Sequence, residues 1–440
     1  MAEYANVHFA LETMRQEAAA AAGREGPRVL ILGPEDAGKT SLAKILTGYA
    51  TKMGRQPLVV NLDPSEGMLS VPGALTATAF RSMIDVEEGW GSSPTSGPSP
   101  IPVKLPLVYF YGLPSPLDGE GGFYKAVVSR LALAVTGRMA EDQEAREAGV
   151  IIDTPGIVGQ GKGASEDIIH HIVTEFSIST ILVIGSERLY STMVKNYDNK
   201  PIATSATAAA SDERISVVKV TKSGGCVDRD ATFMKYVRES QIRSYFFGSP
   251  VPSTASSALS LSSTATGTAI ALSPHTSHVD FDSLTVYSIT IATDGEQDEY
   301  DPSKYESFLP GGTDENDTTT SSSLQPPPGL LPGLGSDLSA ATASGASTSS
   351  NPNLPLKKLP SPAPLSLENT LLAITNVAGN ASLEEVRDAS IMGFVYVADV
   401  DEKKGQGGKL RVLAPVGGRV PSRAMVWGKK WPGEVVGLIG

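Results

Sequence analysis

Residues 29–41 read Val-Leu-Ile-Leu-Gly-Pro-Glu-Asp-Ala-Gly-Lys-Thr-Ser. An apolar run that stops at a glycine, completes G-x-x-x-x-G-K-[ST] and opens into a helix-like segment places the pattern between a strand and a helix. That placement makes the pattern specific. A glycine turn feeding a helix N-terminus leaves backbone N–H groups pointing at one spot, where the helix dipole also favours negative charge. Phosphate fits there. The candidate nucleotide-binding residues are therefore Gly33, Pro34, Glu35, Asp36, Ala37, Gly38, Lys39, Thr40 and Ser41. Gly33 and Gly38 let oxygens approach the amides, Lys39 reaches the β- and γ-phosphates, and the Thr40 hydroxyl can hold Mg²⁺.

Outward from this loop, strand and helix patterns alternate. Residues 4–22 read as a helix with Val7, Leu11, Met14 and Ala18 on one face, ended by Gly23 and Gly26-Pro27. After the loop come a helix over 39–53 and a strand over 57–62 that stops at Asp63-Pro64. Residues 107–111 form a short apolar strand and 123–134 a helix, and the strand at 149–152 ends in Asp153. Residues 181–184 and 215–220 supply two more strands. The alternation predicts an α/β fold of the P-loop NTPase type, a mostly parallel sheet with helices on both faces. Residues 89–104 read as an insertion loop.

The C-terminal half has another texture. Residues 249–268 are rich in Ser, Thr and Ala, 294–301 in acids, and 311–364 form a Ser/Thr/Pro/Gly tract expected to be disordered, because it buries too little apolar area to offset its ordering entropy. Around these tracts stand β-like pieces at 284–291, 370–375, 391–399, 410–415 and 425–427, which predict a smaller, mainly β C-terminal domain.

Composition narrows the class. The 440 residues carry a formal charge of −12, which argues against wrapping nucleic acid non-specifically. Cys226 is the only cysteine, so neither an intrachain disulfide nor a cysteine zinc site can form, as suits a cytosolic or nuclear compartment. Residues 1–15 lack a basic segment followed by an apolar one, and no run approaches a membrane span.

Two acids, Asp63 and Asp153, close apolar strands, and in open α/β sheets ligands bind at the carboxyl ends of strands. Each could simply start a turn, yet together beside a phosphate loop they read as an acceptor and a metal site. Residues 214–243 hold Arg214, Lys219, Lys222, Arg229, Lys235, Arg238 and Arg243, a strand followed by a helix that could lie as a lid over a transferring phosphoryl group, or be a solvated face. His170, His171 and the three tryptophans read as packing or surface residues. Asp153-Thr154-Pro155-Gly156 fits the D-x-x-G of GTPases, but Asn199-Lys200 and Thr221-Lys222 lack the Asp that pairs with guanine, which favours adenine.

Taken in order, residues 4–12, the phosphate loop, Asn61-Leu62-Asp63, Asp153-Thr154-Pro155-Gly156, Glu187-Arg188-Leu189-Tyr190 and the run 222–229 resemble the Clp-type polynucleotide 5′-hydroxyl kinase family. The likeness continues at 243–248, Phe281-Asp282, 391–395 and Leu413-Ala414-Pro415. That family includes the nucleotide-binding subunit of the pre-mRNA cleavage and polyadenylation machinery. The resemblance implies a linker helix over 1–26, a kinase-like ATP-binding domain over 27–248 and a β-rich domain over 249–440. It implies ATP and Mg²⁺ as cofactors, the metal at Thr40 and Asp153, and Lys39, Asp63, Arg229 and Arg238 as catalytic residues. Asp63 would orient or deprotonate an RNA 5′-hydroxyl, and the two arginines would belong to the lid.

Two positions depart from active members, which carry Trp where this chain has Ile157 and a further lid Arg where it has Met234. The first loses a π-face worth roughly 1–3 kcal/mol to a stacked base. An ATP-holding scaffold is therefore expected in preference to an efficient kinase. The expected partners are other cleavage-factor subunits, notably the one that binds the RNA polymerase II C-terminal domain, and RNA, in the nucleus. Family members also begin with a β-rich domain of about a hundred residues; Met1 falls just before the linker helix, so that domain is expected to be missing.

Overall fold

The computed structural model describes residues 2–21, 24–82, 84, 90, 105–160, 163–202, 213–248, 273–290, 354–401, 408–435 and 438. Its organising element is β1 (Arg28–Leu32), five residues buried without exception. Alternate side chains feed opposite cores: Leu30 and Leu32 join one cluster, Val29 and Ile31 the other. A strand covered on both faces has no use for polar alternation, which explains its continuous apolar run.

The helix α1 (Ala2–Ala20) precedes β1, and α2 (Lys39–Lys52) follows it. Then come β2 (Leu58–Asn61), β3 (Ala74–Ala79), β4 (Leu107–Phe110), α3 (Gly122–Glu141), α4 (Gln143–Ala148) and β5 (Val150–Asp153). The series closes with α5 (Ala164–Glu175), β6 (Thr180–Ile184), α6 (Glu187–Tyr197), β7 (Ser216–Val220) and α7 (Ala231–Phe247). The sheet order is β4-β3-β2-β5-β1-β6-β7. The pairs from β2 to β7 are parallel, and β3 and β4 add an antiparallel edge. The chain leaves β1 toward β2 on one side and later adds β6 on the other, so a crevice opens at the carboxyl end of β1.

A second sheet contains β8 (His275–Asp280), β9 (Thr285–Ile289), β10 (Leu356–Lys358), β11 (Thr370–Ala378), β12 (Ile391–Asp401), β13 (Lys409–Ala414) and β14 (Arg423–Trp427), in the order β10-β9-β14-β11-β12-β13-β8. All its pairs are antiparallel except β14 with β9. One face holds its own core of Val286, Leu372, Val397, Leu410 and Met425; the other, with Tyr287, Phe394 and Tyr396, joins the main core of the first sheet. Phe394 meets Phe110 edge-on at 5.7 Å and Tyr245 of α7 at 5.8 Å, and its amide donates to the Tyr245 hydroxyl at 3.1 Å. These contacts join the two sheets through α7.

Three expectations change. The tract 311–364 lies outside the described residues up to 353, but its end is structured: β10 pairs with β9, and Leu356 and Ala363 are buried. Leu356 and Ala363 find apolar partners across a sheet that composition alone does not reveal. The helix α1 is not a bare linker; it packs on the first sheet's helices with Tyr4 and Leu11 in the core. It also buries His8, Glu12 and Arg15, which an apolar pattern leaves outside. Arg55 donates to Glu12 Oε1 at 2.7 and 2.9 Å and Arg15 Nε donates to the Ala148 carbonyl at 2.9 Å, while His8 Nδ1, Glu12 Oε2 and Arg15 Nη1 have no hydrogen-bond partner among the described residues. Finally, β3 and β8 were not expected as strands. The insertion loop 89–104 lies outside the described residues except Trp90, which packs 5.2 Å from Phe80. His171 is a packing residue, bonded to Ser129 Oγ at 2.9 Å.

Candidate nucleotide site

The turn from β1 into α2 needs two left-handed residues, Asp36 at φ 53° and Gly38 at φ 90°. A Cβ at Gly38 would stand 2.7 Å from Cys226 Sγ, and one at Gly33 would stand 2.8 Å from the Ile184 carbonyl oxygen. Across the crevice, a Cβ at Gly156 would lie 2.6 Å from the Glu35 amide nitrogen. The loop is thus wedged between the ends of β5 and β6 at positions where only glycine fits. Lys39 is buried and its ammonium donates to the Pro34 carbonyl at 2.8 Å, folding back across the loop.

Asp153 arrives because β5 lies beside β1, with Asp153 opposite Ile31 in register. Its Oδ2 accepts from the Thr40 hydroxyl at 2.5 Å, while its Oδ1 is buried without a hydrogen-bond partner among the described residues. Burial pushes the carboxyl up to about 7, with Asp63 and Glu66 adding to the rise against the Thr40 hydrogen bond and Lys39. An orphaned buried carboxylate oxygen beside a threonine hydroxyl fits a divalent cation. Among the described residues no group of three acids, histidines or cysteines could hold a metal alone. A Mg²⁺ that keeps waters and phosphate oxygens as ligands suits so sparse a set.

Asp63 follows β2 and is held from both sides. The Leu62 amide donates to the Asp153 carbonyl at 3.0 Å, and the Leu62 carbonyl accepts from the buried Tyr124 hydroxyl at 2.7 Å. The Asp63 amide donates to Asn61 Oδ1 at 3.0 Å, and its own Oδ1 accepts from the Ser65 amide at 2.8 Å and hydroxyl at 2.5 Å. Burial raises its pKa, against those bonds from Ser65. Lys39 is near enough to Asp36, Asp63 and Asp153 to pull each toward the ionised form.

The basic run divides. Lys219 pairs with Glu187, Lys222 with Asp228 at 3.7 Å and Lys235 with Glu239 at 3.9 Å, all toward solvent. Arg229 instead reaches the phosphate loop: its amide and Nε donate to Asp36 at 2.8 and 2.6 Å, and its guanidinium also pairs with Glu66. It stands before α7 rather than in it; the neighbouring Asp230 caps the helix, accepting from the Phe233 amide at 2.7 Å. Arg238, well along α7, lies 4.6 Å over the Trp431 ring. The two arginines expected in a lid are therefore placed on different partners. Ile157 is half-buried against the main core, and Met234 is half-buried on the first turn of α7.

Sequence reasoning missed Tyr124, Glu66, Gln241 and Trp431, which act through contacts between residues far apart in the chain. It passed over Asn61 although the motif contained it; an Asn two residues before a strand-end Asp is a signal for a side-chain-closed turn.

A glycine-turned loop on the central parallel strand, with its threonine bonded to the acid of the adjacent strand, defines a P-loop nucleotide-binding protein. The family model described as "mRNA cleavage and polyadenylation factor CLP1 P-loop" matches residues 33–248, and that described as "Pre-mRNA cleavage complex II protein Clp1" matches 272–433. This chain belongs to the Clp1 family of mRNA cleavage and polyadenylation factors. It is 85% identical over 444 residues to the factor CLP1 of Coccidioides immitis, spanning 100% of this chain and 79% of that protein. It is 67% identical over 447 residues to the clp1 factor of Aspergillus oryzae, spanning 100% and 78%. Among solved structures, Clp1p in a wild-type Clp1p–Pcf11p complex superposes with a TM-score of 0.70 at 27% identity, covering 97% of this chain and 78% of that one. A second, described by an extended Pcf11p–Clp1p interface and by ATP loss in a glycine-to-arginine mutant, gives 0.69 at 27% identity, covering 97% and 79%.

Proposed function

We propose that this chain is an ATP-holding subunit of the nuclear pre-mRNA 3′-end cleavage machinery and that it retains its nucleotide rather than spending it. The observation that carries this reading is the pairing of an intact phosphate loop with Ile157, whose side chain is packed against the core where active kinases of the family offer an indole to the terminal base. Met234 likewise stands where a further lid cation is expected. Losing one positioned cation at a phosphoryl transition state costs orders of magnitude in rate.

In this account the amides of Gly33–Ser41 and the Lys39 ammonium bind the phosphates. Thr40 and Asp153 orient a Mg²⁺, which when bound neutralises phosphate charge. Arg229 ties the segment leading into α7 to Asp36 and so closes the loop from above. A ligand bound only by the folded state stabilises it by mass action, so retained ATP would shape the surface offered to partners. The Clp1p–Pcf11p structure supports a partner equivalent to Pcf11p, which the family resemblance makes the subunit that binds the polymerase C-terminal domain. Among the described residues no helix is long and apolar enough to cross a membrane.

A working RNA 5′-kinase is the second reading. It is favoured by Asp63, whose raised pKa and fixed backbone suit a general base. Acid extraction of the purified protein followed by anion-exchange chromatography tests the first reading. Intact ATP is expected; ADP, or no nucleotide at all, would overturn it.

A further inference from the structure

We propose that Trp431 is a positioning residue of the nucleotide site: from the second sheet, its indole fixes both the loop that carries Asp63 and the helix that carries Arg238, so that nucleotide retention depends on the second sheet. The inference rests on the reading that nucleotide is retained, and it names what holds the lid.

Trp431 lies in the tight turn after β14, where its amide donates to the Gly428 carbonyl at 3.2 Å. The turn is pressed against the first sheet. A Cβ at Gly428 would stand 2.9 Å from the Gly112 carbonyl oxygen, and one at Gly73, whose φ is 93°, would stand 3.3 Å from Trp431 Cδ1. Glycine at both places makes room for the approach. The indole N–H donates to the Pro64 carbonyl at 2.9 Å, and the same oxygen accepts from the Gly73 amide at 2.8 Å. Both lone pairs of the residue next to Asp63 are thereby used.

The ring's face takes Arg238. Helix α7 is then held along its length: by Arg229 on Asp36 just ahead of its start, by Gln241 on the Gly67 amide at 3.2 Å, and by Tyr245 on the Phe394 amide at 3.1 Å. A 17-residue helix spans about 25 Å, enough to carry a restraint from the phosphate loop to the second sheet. Trp431 is the point where that helix and the Asp63 loop meet one side chain. Indole supplies both a donor and the strongest cation–π face; phenylalanine keeps a face without the donor, and leucine keeps neither.

The test is release of Mg²⁺ and N-methylanthraniloyl-labelled AMP-PNP from the nucleotide-stripped full chain, followed by stopped-flow fluorescence. Trp431→Leu and Arg238→Gln should each speed release by about tenfold, Trp431→Phe by less, and the Leu/Gln double variant no more than either single one. Trp427→Phe, in the core of the second sheet away from the site, should lower the melting temperature and leave release unchanged. Unchanged release in Trp431→Leu, or a double effect equal to the product of the single ones, overturns the proposal. If Trp431→Leu does not fold, Trp431→Phe and Arg238→Gln with their double variant decide it by the same criteria. The probe cannot be hydrolysed, so wild-type turnover of ATP would sink the retention reading and leave this coupling separately readable.

Discussion

The Thr40 hydroxyl and Asp153 Oδ2 are 2.5 Å apart, although 113 positions separate them in the chain. Parallel pairing of β1 with β5 creates the contact by setting Ile31 beside Asp153 at the crevice. It places a carboxyl that burial holds near 7 against the residue expected to carry a metal.

That geometry predicts opposite signs for stability and binding in Asp153→Asn. Without nucleotide at pH 8, above the pKa of about 7, the neutral amide relieves a buried charge, so the melting temperature should rise. The Mg²⁺-dependent affinity for ATP should fall about 10- to 100-fold, as for lost metal-orienting groups generally. Calorimetric titration with ATP in Mg²⁺ and in EDTA separates the two; equal affinities in wild type and variant with Mg²⁺ would remove Asp153 from the metal site.

Gly156→Ala is expected to damage the loop it faces. Its Cβ would stand 2.6 Å from the Glu35 amide nitrogen and 2.7 Å from Glu35 Cα, backbone atoms that cannot swing aside. Such overpacking costs about 1–3 kcal/mol. Thermal unfolding should show that loss, and the purified variant should carry less nucleotide than wild type.

Acid should weaken the α1 attachment through His8. The ring is buried 5.0 Å from Tyr49, and its Nδ1 has no partner among the described residues. Burial, aided by Arg15 and opposed by Glu12, depresses its pKa. Below the ordinary value of about 6.5 the unfolded chain takes up a proton that the folded one refuses, so stability falls as pH drops through that range. Between pH 7.5 and 5.5 the melting temperature of the wild type should fall relative to that of His8→Gln. A constant difference would place the acid sensitivity elsewhere.

Much of this was written locally in the chain. Strand β1, the glycine turn and the two strand-end acids announce themselves because a buried parallel strand is a continuous apolar run and a phosphate loop needs its glycines in sequence. Other features were not legible. Strand β3 reads Ala-Leu-Thr-Ala-Thr-Ala, too small and mild in side chain to signal a strand before its partners β2 and β4 are known. The buried Glu12 and Arg15 look like a solvated face until Arg55 and the Ala148 carbonyl meet them. Trp431 is one aromatic among Gly, Lys and Pro, and only the fold brings it to Pro64 and Arg238.

The most direct test of the central claim is transfer of ³²P from labelled ATP to a 5′-hydroxyl RNA oligonucleotide, run beside an active polynucleotide kinase and beside the Lys39→Ala variant. Retention of ATP predicts transfer by the wild type orders of magnitude slower than by the active enzyme. Transfer at a rate comparable to the active kinase, abolished by Lys39→Ala, would contradict it.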